Sequence, residues 1–366
     1  MASKRKAENT ASIAIFSALP PPFGGITMHI HRLIDRLIED EIPFTLYEQT
    51  GQSDPGRNVV PAERSTRGFI RFLIHVPEKF VHLHTNKLLP LMVAIFVLQI
   101  RRKGLILTFH GQSGMRRFRK FSRLQKWFVR LQLSKVEHFF AVNENLHDWL
   151  VSEVTIRPNR VSVVPAFLMP VERELDPKIF PPTVSKFSAG KEALVGSQGW
   201  YGPILAGGIH TYSFDFLLRL ASKLKKEFPT VGLYTLISGT ENIEFRDAFW
   251  AEYKERGLEK TWLVQEEPFY AAGLLKQSAA FLRPTFSDGD SVTVRECLSF
   301  GVPVIASDSV KRPADCVLFE NRNYDELEEA LLNVLKEPER FRFSPAPHQS
   351  DSYHEIQRVY QNCLAR

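Results

Sequence analysis

One segment late in the chain combines acidic, basic and glycine residues in the pattern of a strand, a loop and a helix. Residues 281–308 read FLRPTFSDGDSVTVRECLSFGVPVIASD. The apolar run ends at Arg283, and a helix is predicted from Ser291, a residue type that caps helices well. The amides at the start of a helix, with the positive end of its dipole, attract anions. This segment therefore predicts an anion-binding site.

Asp288 and Glu296 are two carboxylates eight residues apart, one in the predicted loop and one inside the predicted helix. Because they lie on different elements, both can face one pocket, and carboxylates accept hydrogen bonds from sugar hydroxyls. The spacing leaves a structural alternative open. In that alternative Asp288 and Asp290 cap the helix, and Glu296 pairs with a nearby arginine.

Short apolar runs alternate with helical patterns through the whole chain. Residues 12–19 predict a strand, Gly24 and Gly25 a loop, and the apolar spacing over residues 26–38 a helix. In the first half, further strands are predicted at 80–83, 105–109 and 139–142, and helices at 88–100 and 115–136. In the second half, strands are predicted at 193–197, 231–238, 261–265, 279–283 and 302–306, and helices near 213–227, 242–256, 268–277, 291–300 and 324–336. This alternation predicts an α/β fold with parallel, doubly wound sheets.

The two halves of the chain differ in charge. The 366 residues have a net charge of +6, with +10 on residues 1–180 and −4 on the remainder. Residues 170–191 are rich in proline and lack periodicity, as expected of a connection between domains. We predict Rossmann-like domains over 1–180 and 181–345, followed by a C-terminal helix over 346–366 that packs back on the first domain. Two such domains facing each other would form a ligand cleft at the carboxyl ends of their strands.

Composition excludes several classes of protein. Hydrophobic residues make up 44% of the chain and charged residues 24%, so the chain is not a disordered tail. The three cysteines are too few for a disulfide framework and agree with a reducing compartment. The longest apolar run, residues 88–100, falls short of the ~20 residues that cross a bilayer. We therefore expect a cytoplasmic protein.

The predicted helix at 115–136 carries eight basic residues and no acidic residue, beside an apolar stripe. Basic amphipathic helices lie on anionic membranes. We predict contact with a membrane surface or a lipid-linked acceptor through a patch formed by Arg116, Arg117, Arg119, Lys120 and Arg123. The alternative is an ordinary helix with a solvated basic face. No nucleic-acid motif accompanies the patch, so we expect no nucleic-acid partner and a peripheral location on the inner face of the membrane.

The acidic segment resembles the signature of retaining GT-B glycosyltransferases of family GT4. In that family two glutamates are separated by seven residues, and a small-residue helix and a GVPV-like strand follow. Asp288 occupies the first position, one methylene shorter than glutamate, Glu296 occupies the second, and GVPVIASD follows at 301–308. Four other stretches resemble the family in its order, namely PPFGGITMHIHRL at 21–33, FVHLHT at 80–85, LILTFHG at 105–111 and WLVQEEPF at 262–269. Together these segments cover most of the chain.

The resemblance implies a role for each matching residue. Gly24 and Gly25 would let the backbone approach the donor diphosphate, although the residues alone also fit a simple tight turn. His110 matches the histidine that contacts the donor sugar near the reacting centre, whereas a lone histidine after a strand is otherwise often structural. Asp288 would hold hydroxyls of the transferred sugar, and Glu296 would hold the ribose hydroxyls. Further donor contacts are expected from Gly289, Asp290, Ser291 and Val292.

At one place the sequence departs from the family. Members usually carry an arginine and a lysine in the first loop of the second domain, where they neutralise the diphosphate. Here residues 196–216, GSQGWYGPILAGGIHTYSFDF, contain neither. Arg283 and Arg295 flank the acidic signature and are the expected substitutes, with His210 and nearby glycine amides as weaker ones. The alternative is that both arginines pair with the neighbouring acidic residues.

The resemblance thus implies a two-domain GT-B enzyme that transfers a hexose with retention of anomeric configuration. The N-terminal domain would bind a saccharide or lipid-linked saccharide acceptor, and the C-terminal domain a UDP- or GDP-sugar donor, in polysaccharide biosynthesis. Asp288, Gly289 and Asp290 also form a DxD sequence, the metal motif of the other glycosyltransferase fold, but their position late in the chain disfavours that reading. Because protein amides and cations stabilise the leaving diphosphate in this family, we expect no metal and no cofactor.

Two other classes of function stay open. A nucleotide-sugar epimerase or a phosphorylase-like GT-B enzyme would share the two-domain architecture. A non-catalytic nucleotide-sugar-binding GT-B protein is suggested by the missing arginine and lysine. Product analysis separates the first from a transferase, and donor binding without turnover would identify the second.

Overall fold

The computed structural model describes residues 12–21, 23–63, 65–85, 87–202, 204–205, 208–288, 291–342 and 352–366. The chain divides into two compact units. The first comprises Met1–Leu168 with Asp351–Arg366, and the second Met169–Ser350. The division lies at Leu168 rather than at the expected residue 180, because the intervening residues fold with the second unit, in whose core Phe180 is buried.

A parallel sheet forms the centre of the first unit. Its strands are β1 (Ile13–Ser17), β2 (Phe44–Glu48), β3 (Val59–Pro61), β4 (Phe80–His84), β5 (Gly104–Phe109), β6 (His138–Ala141) and β7 (Val161–Val163). The helices are α1 (Gly25–Glu39), α2 (Thr66–His75), α3 (Leu88–Ile100), α4 (Ser113–Arg119), α5 (Arg123–Leu133) and α6 (Glu144–Asp148). The strand order is β3-β2-β1-β4-β5-β6-β7, so the order reverses between β1 and β4, where doubly wound sheets bind ligands.

Alternating residues of β1 show how this sheet is buried on both faces. Ile13 and Ile15 belong to an apolar cluster that includes residues of α1, whereas Ala14 and Phe16 belong to a cluster that includes residues of α2 and α3. Successive side chains of a strand point to opposite faces, so helices cover both sides of the sheet. In α1 the buried residues Ile30, Leu33, Ile34 and Leu37 recur with the helical period.

The second unit repeats this plan. Its strands are β8 (Ala193–Tyr201), β9 (Val231–Thr240), β10 (Trp262–Gln265), β11 (Ala280–Arg283), β12 (Val304–Ser307) and β13 (Cys316–Phe319). The helices are α7 (Glu172–Leu175), α8 (Pro182–Ala189), α9 (Phe214–Glu227), α10 (Ile243–Glu255), α11 (Ala272–Lys276), α12 (Val292–Ser299), α13 (Tyr324–Lys336) and α14 (Pro338–Phe341). The order β10-β9-β8-β11-β12-β13 is parallel throughout and reverses between β8 and β11. The predicted α/β class with doubly wound sheets is confirmed.

The last helix, α15 (Tyr353–Leu364), belongs to the first unit. It buries Ile356, Val359 and Tyr360 in the same apolar cluster as α1. The hydroxyl of Tyr360 lies 2.6 Å from Nδ1 of His82 on β4, which ties the end of the chain to the sheet.

One predicted helix is two helices in the structure. The helix expected at 115–136 divides into α4 and α5, because Ser122 interrupts it and caps the second part by accepting a hydrogen bond from the amide of Gln125. Strands β2, β3, β7 and β13 were not predicted. In the described part of the chain, no helix combines the length and apolar character that crossing a bilayer requires.

Candidate functional site

The glycine loop joins the carboxyl end of β1 to α1. Gly24 is extended, with φ −155° and ψ 170°, a conformation open to any residue. A Cβ atom added to Gly24 would meet only Oγ1 of Thr27, at 3.9 Å. Neither backbone strain nor packing of this unit requires glycine at this position, which argues against the tight-turn alternative. The absence of a side chain at Gly24, beside the first turn of a 15-residue helix, suits close approach by an anion.

A buried carboxylate anchors the residues that precede this loop. Glu48, at the end of β2, is fully buried. It accepts hydrogen bonds from the backbone amides of Leu19, Thr50 and Gln52, at 3.1, 2.8 and 2.8 Å. These bonds connect the residues that follow β1 to those that follow β2, so the loop is anchored by hydrogen bonds to the neighbouring strand.

Three histidines from three elements meet next to the strand reversal of the first sheet. His29 lies on α1, His84 ends β4 and His110 follows β5. Nδ1 of His29 donates to the carbonyl of Ala166 at 2.9 Å, and Nδ1 of His84 lies 2.9 Å from Nε2 of His110. The other ring nitrogens of the three histidines are buried and have no hydrogen-bond partner among the described residues.

Burial keeps these three imidazoles neutral. It lowers the pKa of His29 to about 4, against a weaker opposing effect of the hydrogen bond to Ala166. Burial, reinforced by the neighbouring histidines, lowers the pKa of His84 and His110 well below the usual value. Neutral imidazoles offer a donor and an acceptor each, so the unpartnered nitrogens suit sugar hydroxyls. One ring nitrogen from each residue lies within 4.8 Å of the others, so the same cluster could also ligate a metal ion such as Zn²⁺.

A buried cluster of two arginines around one aspartate lies at the carboxyl ends of β11 and β12. Asp288 accepts two hydrogen bonds from Arg283, from Nε and Nη2, each at 2.8 Å. It accepts a third from Nη1 of Arg312 at 2.6 Å. The side chains of Arg283, Asp288 and Arg312 are only 6%, 8% and 2% exposed. We call these three residues the arginine–aspartate cluster.

Neighbouring polar groups complete the arginine–aspartate cluster. Nη1 of Arg283 donates to Oε1 of Gln198 at 3.1 Å, and Nη2 of Arg312 donates to Oγ1 of Thr285 at 2.9 Å. Burial alone would raise the pKa of Asp288, but the hydrogen bonds and charges of the two arginines hold it well below its usual range. Asp288 is therefore ionised, and the cluster carries one net positive charge.

The arginine–aspartate cluster realises the structural alternative for Arg283, which pairs with Asp288. The carboxylate of Asp288 is occupied by protein donors, so its expected contact with a transferred sugar stays a prediction. Arg312 was not predicted, although a cation just beyond the carboxyl end of a buried strand is a recognisable signal. Gln198 was also missed, and its only signal is a polar side chain near the end of the long strand β8.

The helix predicted after the acidic loop begins as expected. Ser291 caps α12 by accepting a hydrogen bond from the amide of Val294 at 3.4 Å, and Val292 is the first helical residue. Glu296 is buried inside α12 and Arg295 is half-buried. Gly289 and Asp290 lie outside the described residues, so the donor contacts expected of them stay predictions.

His210 does not replace the missing arginine and lysine of the first loop of the second unit. It is buried, and its ring stacks on Phe245 with 4.1 Å between ring centroids. Burial lowers the pKa of His210 to about 4, against a weaker opposing effect of Asp215. His210 is therefore neutral at pH 7 and contributes no positive charge.

Four of the five residues of the predicted basic patch keep their charges available. Arg116, Arg117, Lys120 and Arg123 are exposed and form no ion pair with any described residue. Arg119 differs, because its Nη2 atom lies 2.6 Å from Oε1 of Glu153 and its charge is neutralised there. Four of the five predicted positions therefore present unpaired charges at the surface, and their contact with a membrane or acceptor stays a prediction.

One family model matches part of the first unit. Residues 23–168 match the sequence profile of Glycosyltransferase Family 4. The glycine loop and the three clustered histidines all lie within this match. The resemblance drawn from the sequence motifs is therefore confirmed for this part of the chain. No curated protein sequence shows significant similarity to the chain.

Solved structures share the fold of the whole chain at low sequence identity. A glycosyltransferase from Rickettsia africae is 12% identical with a TM-score of 0.70, covering 96% of this chain and 98% of that one. HepE from Anabaena, in complex with UDP and glucose, is 11% identical with a TM-score of 0.68, covering 97% and 100%. Sucrose-phosphate synthase from Thermosynechococcus elongatus is 13% identical with a TM-score of 0.65, covering 97% and 99%. The chain therefore has the GT-B fold.

Proposed function

From the match of residues 23–168 to Glycosyltransferase Family 4 and the GT-B fold, we propose that this protein is a retaining hexosyltransferase that uses a nucleotide-sugar donor. The arginine–aspartate cluster is the observation that carries the proposal. It holds one net positive charge at the carboxyl end of β11, next to the start of α12. Cleavage of the bond between the anomeric carbon and the diphosphate leaves negative charge on the diphosphate, which a fixed positive charge stabilises.

The proposed roles divide between the two units. In the second, Glu296 holds the ribose hydroxyls, and Arg283 with the first amides of α12 stabilises the diphosphate, supported by Arg295. In the first, His110 contacts the transferred sugar together with His84, to which it is hydrogen-bonded. The one ring nitrogen of each histidine that has no partner among the described residues supplies a donor or acceptor position. Asp288 acts by holding Arg283 and Arg312 in place.

The proposed donor and acceptor are supported by the chemistry of the site and by similarity to solved structures. HepE has been crystallised with UDP, with UDP-glucose, and with UDP and glucose, which favours a UDP-sugar over a GDP-sugar here. The acceptor is a saccharide or a lipid-linked saccharide, with the basic patch of the first unit contacting an anionic membrane surface. A protein cation already balances the leaving group, so turnover needs no metal, and the histidine cluster serves the sugar.

A non-catalytic nucleotide-sugar-binding protein is the second candidate, because one observation favours it. Residues 196–216 contain no lysine or arginine, and the buried His210 is neutral. Phosphate binding then depends on groups outside that loop. Tight donor binding without transfer or hydrolysis across a panel of acceptors would support this candidate over a transferase.

The first experiment is a thermal-shift screen of the purified protein against UDP, GDP, ADP and CMP and their sugar conjugates. Each nucleotide is tested with magnesium and with EDTA. We expect a selective stabilisation by UDP and a UDP-sugar that EDTA does not remove, followed by sugar transfer to an acceptor with retained configuration. Stabilisation that EDTA abolishes would contradict the proposed metal independence, and no stabilisation by any nucleotide would contradict the proposed function.

Replacing Glu296 with glutamine is expected to weaken donor binding by about 3 kcal/mol, roughly 150-fold in Kd. One acceptor oxygen becomes an amide donor, and the negative charge that strengthens the other hydrogen bond to ribose is removed. Isothermal titration calorimetry with UDP measures the change. The exposed Glu329 of α13 provides a matched control, and Glu329→Gln should bind UDP like the wild type. An unchanged affinity of Glu296→Gln would remove Glu296 from the donor site.

Replacing Gly24 with alanine is expected to weaken binding of the UDP-sugar about tenfold, because the added methyl group takes the space that a phosphate approaches. The free energy of unfolding should stay constant or rise by up to about 1 kcal/mol, since alanine restricts the unfolded chain. Gly190, at the end of α8 with φ −92°, is the control position, where alanine should leave UDP-sugar affinity unchanged. Donor affinity equal to wild type in Gly24→Ala would leave Gly24 with a turn role only.

A further inference from the structure

Helix α3 exposes an apolar face to solvent. Its 13 residues include one polar side chain, Gln99, and a helix that is apolar on all sides is normally buried in a core or in a membrane. Only part of α3 is buried against the sheet. Leu89, Phe96 and Ile100 are 66%, 60% and 67% exposed, and with Val93 they recur on one side of the helix. Packing within the unit accounts for the inner face only.

The neighbouring helix α5 extends this apolar face. The exposed apolar residues of α5 are spaced by three and four positions, as on one side of a helix, and comprise Leu124, Trp127, Phe128 and Leu131. Leu124 is 74% exposed and Trp127 is 59% exposed. Helix α3 packs against α5, so the two faces adjoin. We call the exposed apolar residues of α3 and α5 the α3–α5 face. Soluble proteins usually expose apolar residues singly, whereas here they adjoin in one patch.

An apolar hollow opens between the two helices. It has a volume of about 490 Å³, and its walls include Leu88, Met92, Phe121 and Phe128. Arg117 is the only charged residue among those that line it. A hollow of this composition suits the acyl chain of a phospholipid, with the phosphate of its headgroup bound by Arg117.

The segment of the chain that carries the α3–α5 face is strongly basic. Residues 79–136 contain thirteen lysine and arginine residues and no aspartate or glutamate. Of the four unpaired cations of the basic patch, two lie on α4, Lys120 directly follows α4 and Arg123 begins α5. Arg101 and Arg102 are exposed directly after α3. A second copy of the chain would bring equal positive charge against this belt, which opposes a dimer through the same face. An anionic partner with an apolar interior complements both features.

We propose that the α3–α5 face inserts into the headgroup region of an anionic phospholipid bilayer. The apolar side chains of both helices enter the acyl boundary, with Trp127 at the interface, where amphipathic aromatic rings are favoured. The flanking lysines and arginines contact lipid phosphates while their stems cover apolar surface. The inference goes beyond the basic patch, since it assigns binding to apolar insertion as well as to charge. It does not depend on the donor chemistry proposed above.

Co-sedimentation of the full chain with vesicles tests this proposal. Vesicles of phosphatidylcholine are compared with vesicles containing 30% phosphatidylglycerol, at low and high salt. The insertion variant is Phe96→Gln/Trp127→Gln. Its matched control in the second unit is Ile243→Gln/Leu318→Gln, which replaces two exposed apolar residues outside the α3–α5 face. The charge variant replaces Arg116, Arg117, Lys120 and Arg123 with glutamine.

We expect the wild type and the control variant to bind the anionic vesicles, and the insertion variant to bind at least tenfold more weakly at both salt concentrations. The charge variant should bind more weakly than the wild type mainly at low salt. At high salt, the attraction between these cations and the lipid phosphates is already screened in the wild type. Brominated acyl chains should quench the fluorescence of the wild type on binding and quench that of the insertion variant less.

Two outcomes would overturn the proposal. One is equal binding of the wild type and the insertion variant to anionic vesicles, which would leave only surface charge. The other is no binding of the wild type to anionic vesicles. If the insertion variant also abolishes a concentration-dependent dimer of the wild type, the α3–α5 face would be assigned to a second copy of the chain. UDP affinity, measured in parallel, should be unchanged in every variant. A failure of membrane binding is thereby distinguishable from a failure of the proposed function.

Discussion

Replacing Asp288 with alanine is expected to lower the free energy of unfolding by about 3–5 kcal/mol. Arg283 and Arg312 are almost completely buried, and Asp288 is the carboxylate that joins them. Without it, two guanidinium groups remain close together and largely buried, and breaking a buried ion pair in this way carries a cost of this size. Urea denaturation followed by intrinsic fluorescence measures the loss.

The exposed pair between Arg219 and Asp325 provides the control for this prediction. The two side chains are 58% and 91% exposed, so Asp325→Ala should change the free energy of unfolding by less than about 1 kcal/mol. The double variant Asp288→Ala/Arg312→Met should recover part of the lost stability, because one arginine without a partner remains instead of two. Wild-type stability of Asp288→Ala, combined with lost turnover, would instead assign the Asp288 carboxylate to the substrate.

Acid is expected to destabilise the protein strongly between pH 7 and pH 5. Burial lowers the pKa of His29 to about 4 and that of His82, His84 and His110 well below the usual value, so the folded state keeps these four imidazoles neutral. The unfolded state takes up their protons at about pH 6.5. Stability is therefore present above that pH and lost below it, by about 2 kcal/mol at pH 5 for His29, with further losses in the same direction from the other three histidines.

Urea denaturation at pH 7, 6 and 5, at constant ionic strength, measures this dependence. His29→Gln should reduce the pH slope of the unfolding free energy by about 1.4 kcal/mol per pH unit below pH 6, because one proton fewer is taken up on unfolding. The exposed His75 of α2 is the matched control, and His75→Gln should keep the wild-type slope. A slope that is equal in His29→Gln and the wild type would mean that His29 is protonated in the folded protein.

Much of the fold and part of the candidate site were predictable from the sequence. Local patterns predicted three elements, namely the strand that ends at Arg283, the helix capped by Ser291 and helix α1 after the glycine loop. Such patterns are readable because apolar periodicity and capping act between residues that are at most four positions apart. The order of these patterns along the chain also indicated the GT-B fold, which the structural comparison supports.

The sequence by itself determined the alternation of strands and helices, the acidic loop and the excess of positive charge in the first half. Only the tertiary structure decided that Arg312, 24 residues beyond Asp288, completes the buried cluster, and that three histidines from separate elements meet. It also decided which side of α3 faces solvent, since an evenly apolar helix has no preferred face. The physical reason is that strand order brings distant residues together, and no local pattern encodes which side chains then share one edge of a sheet.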